Sequence, residues 1–287
     1  MTTSASREVV LELNDVRIHN DLADVELVHG VTLTLERGGV VGIVGESGSG
    51  KSLTCRAILG ILTKHIEVSG GSITLLGRDA ATLTPKEWTD LRGTRISAVF
   101  QDPGSYLNPS IRVGTQVQEV LRVKLGLGRA AARRRTLELF EAVHLRDPEY
   151  VYRQYTHELS GGMLQRILIA AAIALEPDIL IADEATTALD VTVQAEILDL
   201  LAELKERIGL SLVVVSHDLA VVAHLCDHVL VMKDGSVVEQ GPTRKILYHP
   251  EHEYSRLLVA EHEQYGLELH TQRPIGESEQ DRELEYA

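Results

Sequence analysis

Val40-Val41-Gly42-Ile43-Val44-Gly45-Glu46-Ser47-Gly48-Ser49-Gly50-Lys51-Ser52 decides the fold: an apolar run without alternation enters a glycine- and serine-rich turn that ends on Lys-Ser. A run of that kind is a strand buried on both faces, as in a parallel sheet covered by helices. The spacing predicts a helix over about 53–62 after the turn. Strand, glycine-rich turn and helix in that order make a phosphate-binding loop. Its glycines let the backbone N–H groups of Gly45, Glu46, Ser47, Gly48, Ser49 and Gly50 turn inward on the β- and γ-phosphates, and the helix N-terminus adds its positive end. Lys51 is expected to bridge phosphate oxygens and the Ser52 hydroxyl to ligate Mg2+, so ATP and Mg2+ are the expected ligands.

Outward from the loop, Val9–Leu13 and Val31–Leu35 read as strands, residues 73–76 are extended, and Ile96–Phe100 is another short strand. From 102 to about 175 the pattern is mostly helical, entered through Pro103, Gly104 and Pro109 and carrying the basic stretch Arg129–Arg135. This is an inserted helical lobe. Ile179–Ala182 and Leu212–Val215 read as central parallel strands joined by a helix whose Val193, Ile197, Leu200, Leu201, Leu204 and Ile208 share one face, a right-handed crossover. Val229–Lys233 and Ser236–Glu239 flank Asp234-Gly235, a two-residue hairpin signal.

Asp183-Glu184 closes the strand over 179–182, so two carboxylates emerge at the edge where open α/β sheets bind ligands. Alone, the pair also fits a helix cap. Beside a phosphate loop, Asp183 is expected to hold Mg2+ through water and Glu184 to polarise the water attacking the γ-phosphate. Leu159-Ser160-Gly161-Gly162-Met163-Leu164-Gln165-Arg166 sets a hydroxyl and two glycines at a helix start, which fits either a plain cap or an anion-receptive nest.

That last segment is similar to the signature motif of ATP-binding-cassette proteins. The family's other marks follow in order: Gln101 before the helical lobe, Ala188-Leu189-Asp190 after the acidic pair, and Ser216-His217-Asp218 after the next strand. The resemblance spans about residues 8–268 and implies an α/β fold. Its parts are a P-loop NTPase (RecA-like) core, an N-terminal antiparallel β subdomain and an inserted α-helical subdomain. The expected boundaries are 1–101 for the β subdomain and first part of the core, 102–175 for the helical signature subdomain, and 176–245 for the second part of the core. Residues 246–270 form a C-terminal extension and 271–287 an acidic tail. The resemblance also implies that Gln101 senses Mg2+ and γ-phosphate and that His217 contacts γ-phosphate and steadies the attacking water. Ser160, Gly161, Gly162 and Met163 complete a partner's site in trans, and Asp190 belongs to the dimer loop. Three departures stand out. No aromatic residue stands near Arg17–Asp21 to stack on adenine, leaving His19 as the candidate; Ala185 replaces the usual proline after the catalytic Glu; and the C-terminal cysteine cluster of close oligopeptide-importer relatives is absent, so no iron–sulfur cluster is expected.

Composition narrows the class further. Hydrophobic residues make up 44% and charged residues 24%, with mean hydropathy near zero, as in an ordinary globular protein. A net charge of −14 excludes a global basic field for nucleic acid. Ten acidic residues against three arginines lie between 249 and 287, so half of the excess sits at that end. The apolar run Ile167–Leu175 is far below the roughly 20 residues of a membrane span, and Cys55 and Cys226 have no metal-ligand spacing. With no apolar stretch at the N-terminus to serve as a signal peptide, a cytosolic, reduced setting is expected.

Three uses of a cassette compete: transporter motor, chromosome-maintenance or repair ATPase, and translation factor. The interval from Gln101 to Ser160 holds a compact lobe but no long coiled-coil arms, and the chain has one cassette and a net charge of −14, which favours the transporter motor. Phe100-Gln101-Asp102-Pro103, Leu107-Asn108-Pro109 and Thr186-Thr187-Ala188-Leu189-Asp190-Val191 resemble the dipeptide, oligopeptide and nickel importer group. Leu27–Val31, Ser52–Cys55, Leu59–Leu62, Gly162–Arg166 and Tyr265–Leu269 look like the D-type ATP-binding subunit of bacterial nickel importers, which makes nickel the expected cargo and short peptides the alternative. The resemblance implies a second ATP-binding subunit, a paralogue in a heterodimer, together with two transmembrane permease subunits and an extracytoplasmic substrate-binding protein. It places the chain peripherally on the cytoplasmic face of the inner (plasma) membrane, with no nucleic-acid partner. His249, His252, His262 and His270 lack a fixed ligand geometry and read as surface histidines.

Overall fold

The computed structural model describes residues 8–186 and 189–264. In chain order it contains strands β1 (Val9–Asn20), β2 (Val25–Glu36) and β3 (Val40–Val44), helix α1 (Lys51–Ile58), strands β4 (Ile66–Leu75) and β5 (Arg78–Asp79), helix α2 (Pro85–Leu91) and strand β6 (Ile96–Phe100). Helices α3 (Pro103–Tyr106), α4 (Val113–Leu125), α5 (Arg129–Ala142), α6 (Pro148–Arg153) and α7 (Gly161–Ile173) follow. The chain then forms β7 (Ile179–Asp183), α8 (Val191–Ile208), β8 (Ser211–Ser216), α9 (Leu219–Leu225), β9 (His228–Lys233), β10 (Ser236–Pro242), α10 (Thr243–Tyr248) and α11 (Glu253–Gln264). The acidic tail over 271–287 lies outside the described residues.

Strands β2-β1-β4-β5 form an antiparallel sheet, and β10-β9-β3-β8-β7-β6 form a second sheet in which all but β10 run parallel. Side chains of the parallel strands alternate between two cores, as a strand's period of two requires. Val41, Ile43, Ile181, Val213 and Leu230 pack with the antiparallel sheet and α1. Val40, Val44, Leu180, Leu212 and Val214 pack with the helices, where Phe140, Ile167 and Leu201 are buried. The apolar run that opens the phosphate loop is therefore buried on both faces, as its lack of alternation predicts. Each fully buried Leu, Ile or Phe contributes ~1.5–3 kcal/mol, and the central sheet is held from both of its faces.

Strands β1 and β2 are longer than the alternation predicts. A bulge at Asp15, whose φ is 49°, shifts the register between Leu13 and Val16, and the apolar alternation restarts one step out of phase at Val16 and Ile18. Helix α1 stops at Ile58, short of the predicted 62, because Gly60, with φ of 62°, turns the chain out of the helix: the Ile61 N–H donates to the Arg56 carbonyl at 2.9 Å and the Gly60 N–H to the Ala57 carbonyl at 3.0 Å, while Arg92 takes the Leu59 carbonyl at 2.8 Å and the Gly60 carbonyl at 2.5 Å. Those carbonyls are turned to a side chain rather than to another helical turn. The Asp234-Gly235 hairpin forms as predicted, with φ of 46° and 79° at its two central residues.

Candidate functional site

Register brings the predicted residues to one edge. Phe100 pairs with Asp183, Asp183 with Val215, and Val44 with Ser216, so Gln101, Glu184, His217 and Gly45 all leave their strands at the carboxyl end of the parallel sheet. At Gly45, φ is +151° and a Cβ would lie 2.1 Å from the Met232 carbonyl oxygen, so the first residue of the loop has to be glycine. Lys51, at the start of α1, folds its side chain beneath the loop. Its Nζ donates to the carbonyls of Gly45 and Glu46, both at 2.7 Å, and to Ser49 Oγ at 3.4 Å. Burial pushes the Lys51 pKa down, against the pull of the Glu184 and Asp183 carboxylates.

Ser52 Oγ donates to Asp183 Oδ1 at 3.1 Å. Asp183 is 5% exposed, and burial pushes its pKa up, with the Ser52 hydrogen bond opposing and the Glu184 charge adding. Glu184 turns the chain out of the sheet with φ of 51°, while its N–H still donates to the Val215 carbonyl at 2.9 Å. Its Oε1 lies 3.9 Å from Nδ1 of the half-exposed His217. Gln101 is exposed at the end of β6, one strand from Asp183. A hydroxyl, one carboxylate and an amide oxygen form an all-oxygen donor set, which suits a Mg2+ that keeps waters and shares phosphate oxygens. Among the described residues no group of three or more His, Cys, Asp or Glu is arranged for another metal.

The signature residues stand apart from this cluster. Exposed Ser160 caps α7, its Oγ accepting the Met163 N–H at 3.4 Å, and no hydrogen bond or ion pair among the described residues links 160–163 to 45–52. Gly161 and Gly162 lie against Leu189 and Val193; a Cβ on Gly162 would meet Val193 Cγ1 at 2.7 Å. Asp190 is exposed and caps α8 through Oδ1, which accepts the Val193 N–H at 3.0 Å. Thr187, Ala188 and the segment Tyr265–Leu269 lie outside the described residues.

His19 is engaged with Asp21 and Asp24, at 3.3 and 3.5 Å. His249 and His252 are exposed, and the His262 side chain and His270 lie outside the described residues. One residue of the site was missed at the sequence level. The buried Tyr254 of α11 accepts the Glu46 N–H on its hydroxyl oxygen at 2.9 Å. Its signal was weak: an aromatic residue with Leu257 and Leu258 three and four positions on, in a segment dominated by charge.

A phosphate loop on a parallel sheet, flanked by an antiparallel β layer and a helical layer, defines an ATP-hydrolysing cassette. A family model described as ABC transporter matches residues 28–187, and the chain belongs to that family. It is 44% identical over 253 residues to the dipeptide transport ATP-binding protein DppD of Lactococcus lactis subsp. cremoris, covering 87% of this chain and 72% of that protein. With the oligopeptide transport ATP-binding protein OppD of Salmonella typhimurium it is 45% identical over 249 residues, covering 86% and 74%. Among solved structures, cbiO1 from Clostridium perfringens, part of the ABC transporter complex cbiONQ, superposes with a TM-score of 0.75 at 29% identity over 85% of this chain and 93% of that one. A dimeric ATP-binding cassette in a post-hydrolysis state bound to ADP and Pi superposes with a TM-score of 0.72 at 29% identity, covering 82% and 99%. Among the described residues no helix is long and apolar enough to cross a membrane.

Proposed function

We propose that the chain is the ATP-binding, ATP-hydrolysing subunit that energises a bacterial importer of dipeptides or oligopeptides. The observation that carries the ATPase reading is the 3.1 Å meeting of Ser52 and Asp183 beside a loop whose lysine lies beneath it. Residues 45–52 hold the phosphates, with Lys51 countering their charge. Ser52, Asp183 and Gln101 would hold Mg2+, which would supply neutralisation of the phosphate charge. Glu184 polarises the attacking water, and His217, whose Nδ1 lies 3.9 Å from Glu184 Oε1, contacts the γ-phosphate and steadies that water.

Ser160, Gly161, Gly162 and Met163 act on the nucleotide of a second cassette, with Asp190 at the junction. This reading is supported by the exposure of Ser160 and by its separation from the chain's own loop. The partners are a second ATP-binding subunit, two permeases and an extracytoplasmic binding protein, which places the chain on the cytoplasmic face of the inner membrane.

The cargo expectation changes from nickel to peptide. Nickel rests on five short stretches, whereas similarity at 44% and 45% identity to proteins named for dipeptide and oligopeptide transport runs over most of the chain. Deleting the gene tests this directly. The strain is expected to lose growth on di- or oligopeptides as sole nitrogen source and to accumulate nickel normally; the reverse pattern would restore the nickel reading.

A further inference from the structure

The peptide unit joining Gly45 and Glu46 is gripped from both ends. Lys51 Nζ takes its carbonyl at 2.7 Å and the Tyr254 hydroxyl oxygen takes its N–H at 2.9 Å. The second grip comes from a residue 208 positions away, on the C-terminal helix α11. Tyr254 is 4% exposed, so the tyrosine is held in the packed interior while the loop residue it grips, Glu46, is exposed. Its own place is fixed by several contacts. The Lys233 ammonium lies 5.0 Å over the ring, and His252 Nδ1 accepts the Tyr254 N–H at 3.2 Å. The turn before α11 is tied to β10 by Glu239, whose carboxylate accepts the N–H groups of Glu251 at 2.9 Å and His252 at 3.0 Å. Burial pushes the Tyr254 pKa up, which keeps the phenol neutral.

We propose that Tyr254 is a positioning residue for the phosphate loop: by fixing the Gly45–Glu46 peptide it sets where Lys51 sits, so the C-terminal segment tunes affinity for the triphosphate. The proposal rests on residues 45–52 being the nucleotide site. Lys51 donates to two successive carbonyls, so rotation of the peptide between Gly45 and Glu46 would release one of them and let the ammonium swing. An amide held by a buried hydroxyl resists that rotation.

The test uses the full chain. Tyr254→Phe keeps the ring and its Lys233 contact but leaves the Glu46 N–H without its partner. The expected result is an ATP Kd and KM raised roughly three- to tenfold, the worth of one net hydrogen bond, with kcat within about twofold and the melting temperature lowered by no more than about 5 °C. Unchanged ATP affinity in the folded variant would overturn the proposal. So would a fall in melting temperature with no change in affinity, because the hydroxyl would then be purely structural. A Lys51→Ala control separates the two readings: if it binds ATP normally, the nucleotide-site assignment itself fails, whereas lost binding there with an unaffected Tyr254→Phe sinks only the positioning role. Should the Phe variant not fold, amide hydrogen exchange on the wild-type chain decides. Glu46 is expected to exchange more slowly than Ser47, and equal rates would show that the tyrosine does not hold the loop.

Discussion

Ser52 and Asp183 stand 131 positions apart in the chain and 3.1 Å apart in space, hydroxyl to carboxylate. The contact joins the first turn of α1 to the last residue of β7, and it exists because β3 and β7 both border β8 in one parallel sheet. A buried carboxylate in that place weakens the protein, since burial favours its neutral form. Its proposed share with Ser52 in holding Mg2+ would offset that cost.

Asp183→Asn is therefore expected to stabilise the nucleotide-free chain at neutral pH. The folded pKa of Asp183 lies above its unfolded value, so the wild type carries no cost from this group at pH below the unfolded value of about 4. The cost grows as pH rises from there toward the folded pKa and is complete above it. The variant should melt higher than wild type at pH 7, with the gap closing as pH falls below about 4, while its Mg2+-dependent turnover drops by orders of magnitude. Thermal melts across pH check the first half, and a variant less stable at pH 7 would refute the burial argument.

Glu184→Gln keeps shape and removes the carboxylate proposed as the base. Its backbone, with φ of 51° and the N–H bonded to Val215, is unaffected by the side-chain change. ATP affinity should stay within about twofold and kcat should fall about 10²- to 10⁴-fold, the usual worth of general-base catalysis. Equal phosphate release by the two proteins would remove Glu184 from its assigned role.

How far the sequence reveals these features depends on the range of the interactions behind them. Val40–Val44, the loop and the acidic pair are local patterns, so strand, turn and site edge can be read directly. The early end of α1 at Ile58 is local too, marked by Gly60 at a φ of 62°, whereas the bulge at Asp15 depends on pairing with distant strands and cannot be read in that way. Tyr254 belongs with the bulge: only the fold places α11 over the loop. Cargo is not written in the residues gathered at the sheet edge, whose chemistry is that of phosphate and Mg2+; the peptide reading comes from similarity over most of the chain.

Ser160→Arg tests whether the signature serves another molecule. Ser160 is exposed and outside the chain's own cluster, so the isolated variant should bind ATP unchanged, while loss of the α7 cap lowers its melting temperature by about 1–5 °C. Turnover of the assembled ATPase should fall at least tenfold. Equilibrium binding to the isolated chain supplies the check; loss of ATP affinity comparable to that of Lys51→Ala would mean the motif acts within its own subunit.

Gly162 and Val193 provide a direct measure of how tightly the signature helix is seated on α8. A methyl at 162 would lie 2.7 Å from Val193 Cγ1, closer than carbon atoms pack, so Gly162→Ala forces α7 and α8 apart at their N-terminal ends. Alanine is otherwise the better helix former by up to about 1 kcal/mol, so two opposed effects meet at one position. In the wild-type background crowding should dominate and cost about 1–3 kcal/mol. In a Val193→Ala background the obstructing methyl is gone, and the same Gly162→Ala change should become neutral or stabilising. Denaturant unfolding of the four proteins gives the coupling energy, expected to exceed about 1 kcal/mol. Effects that add within about 0.5 kcal/mol would show that the glycine is not required by this contact, and the close seating of the signature beside Asp190 would lose its physical basis.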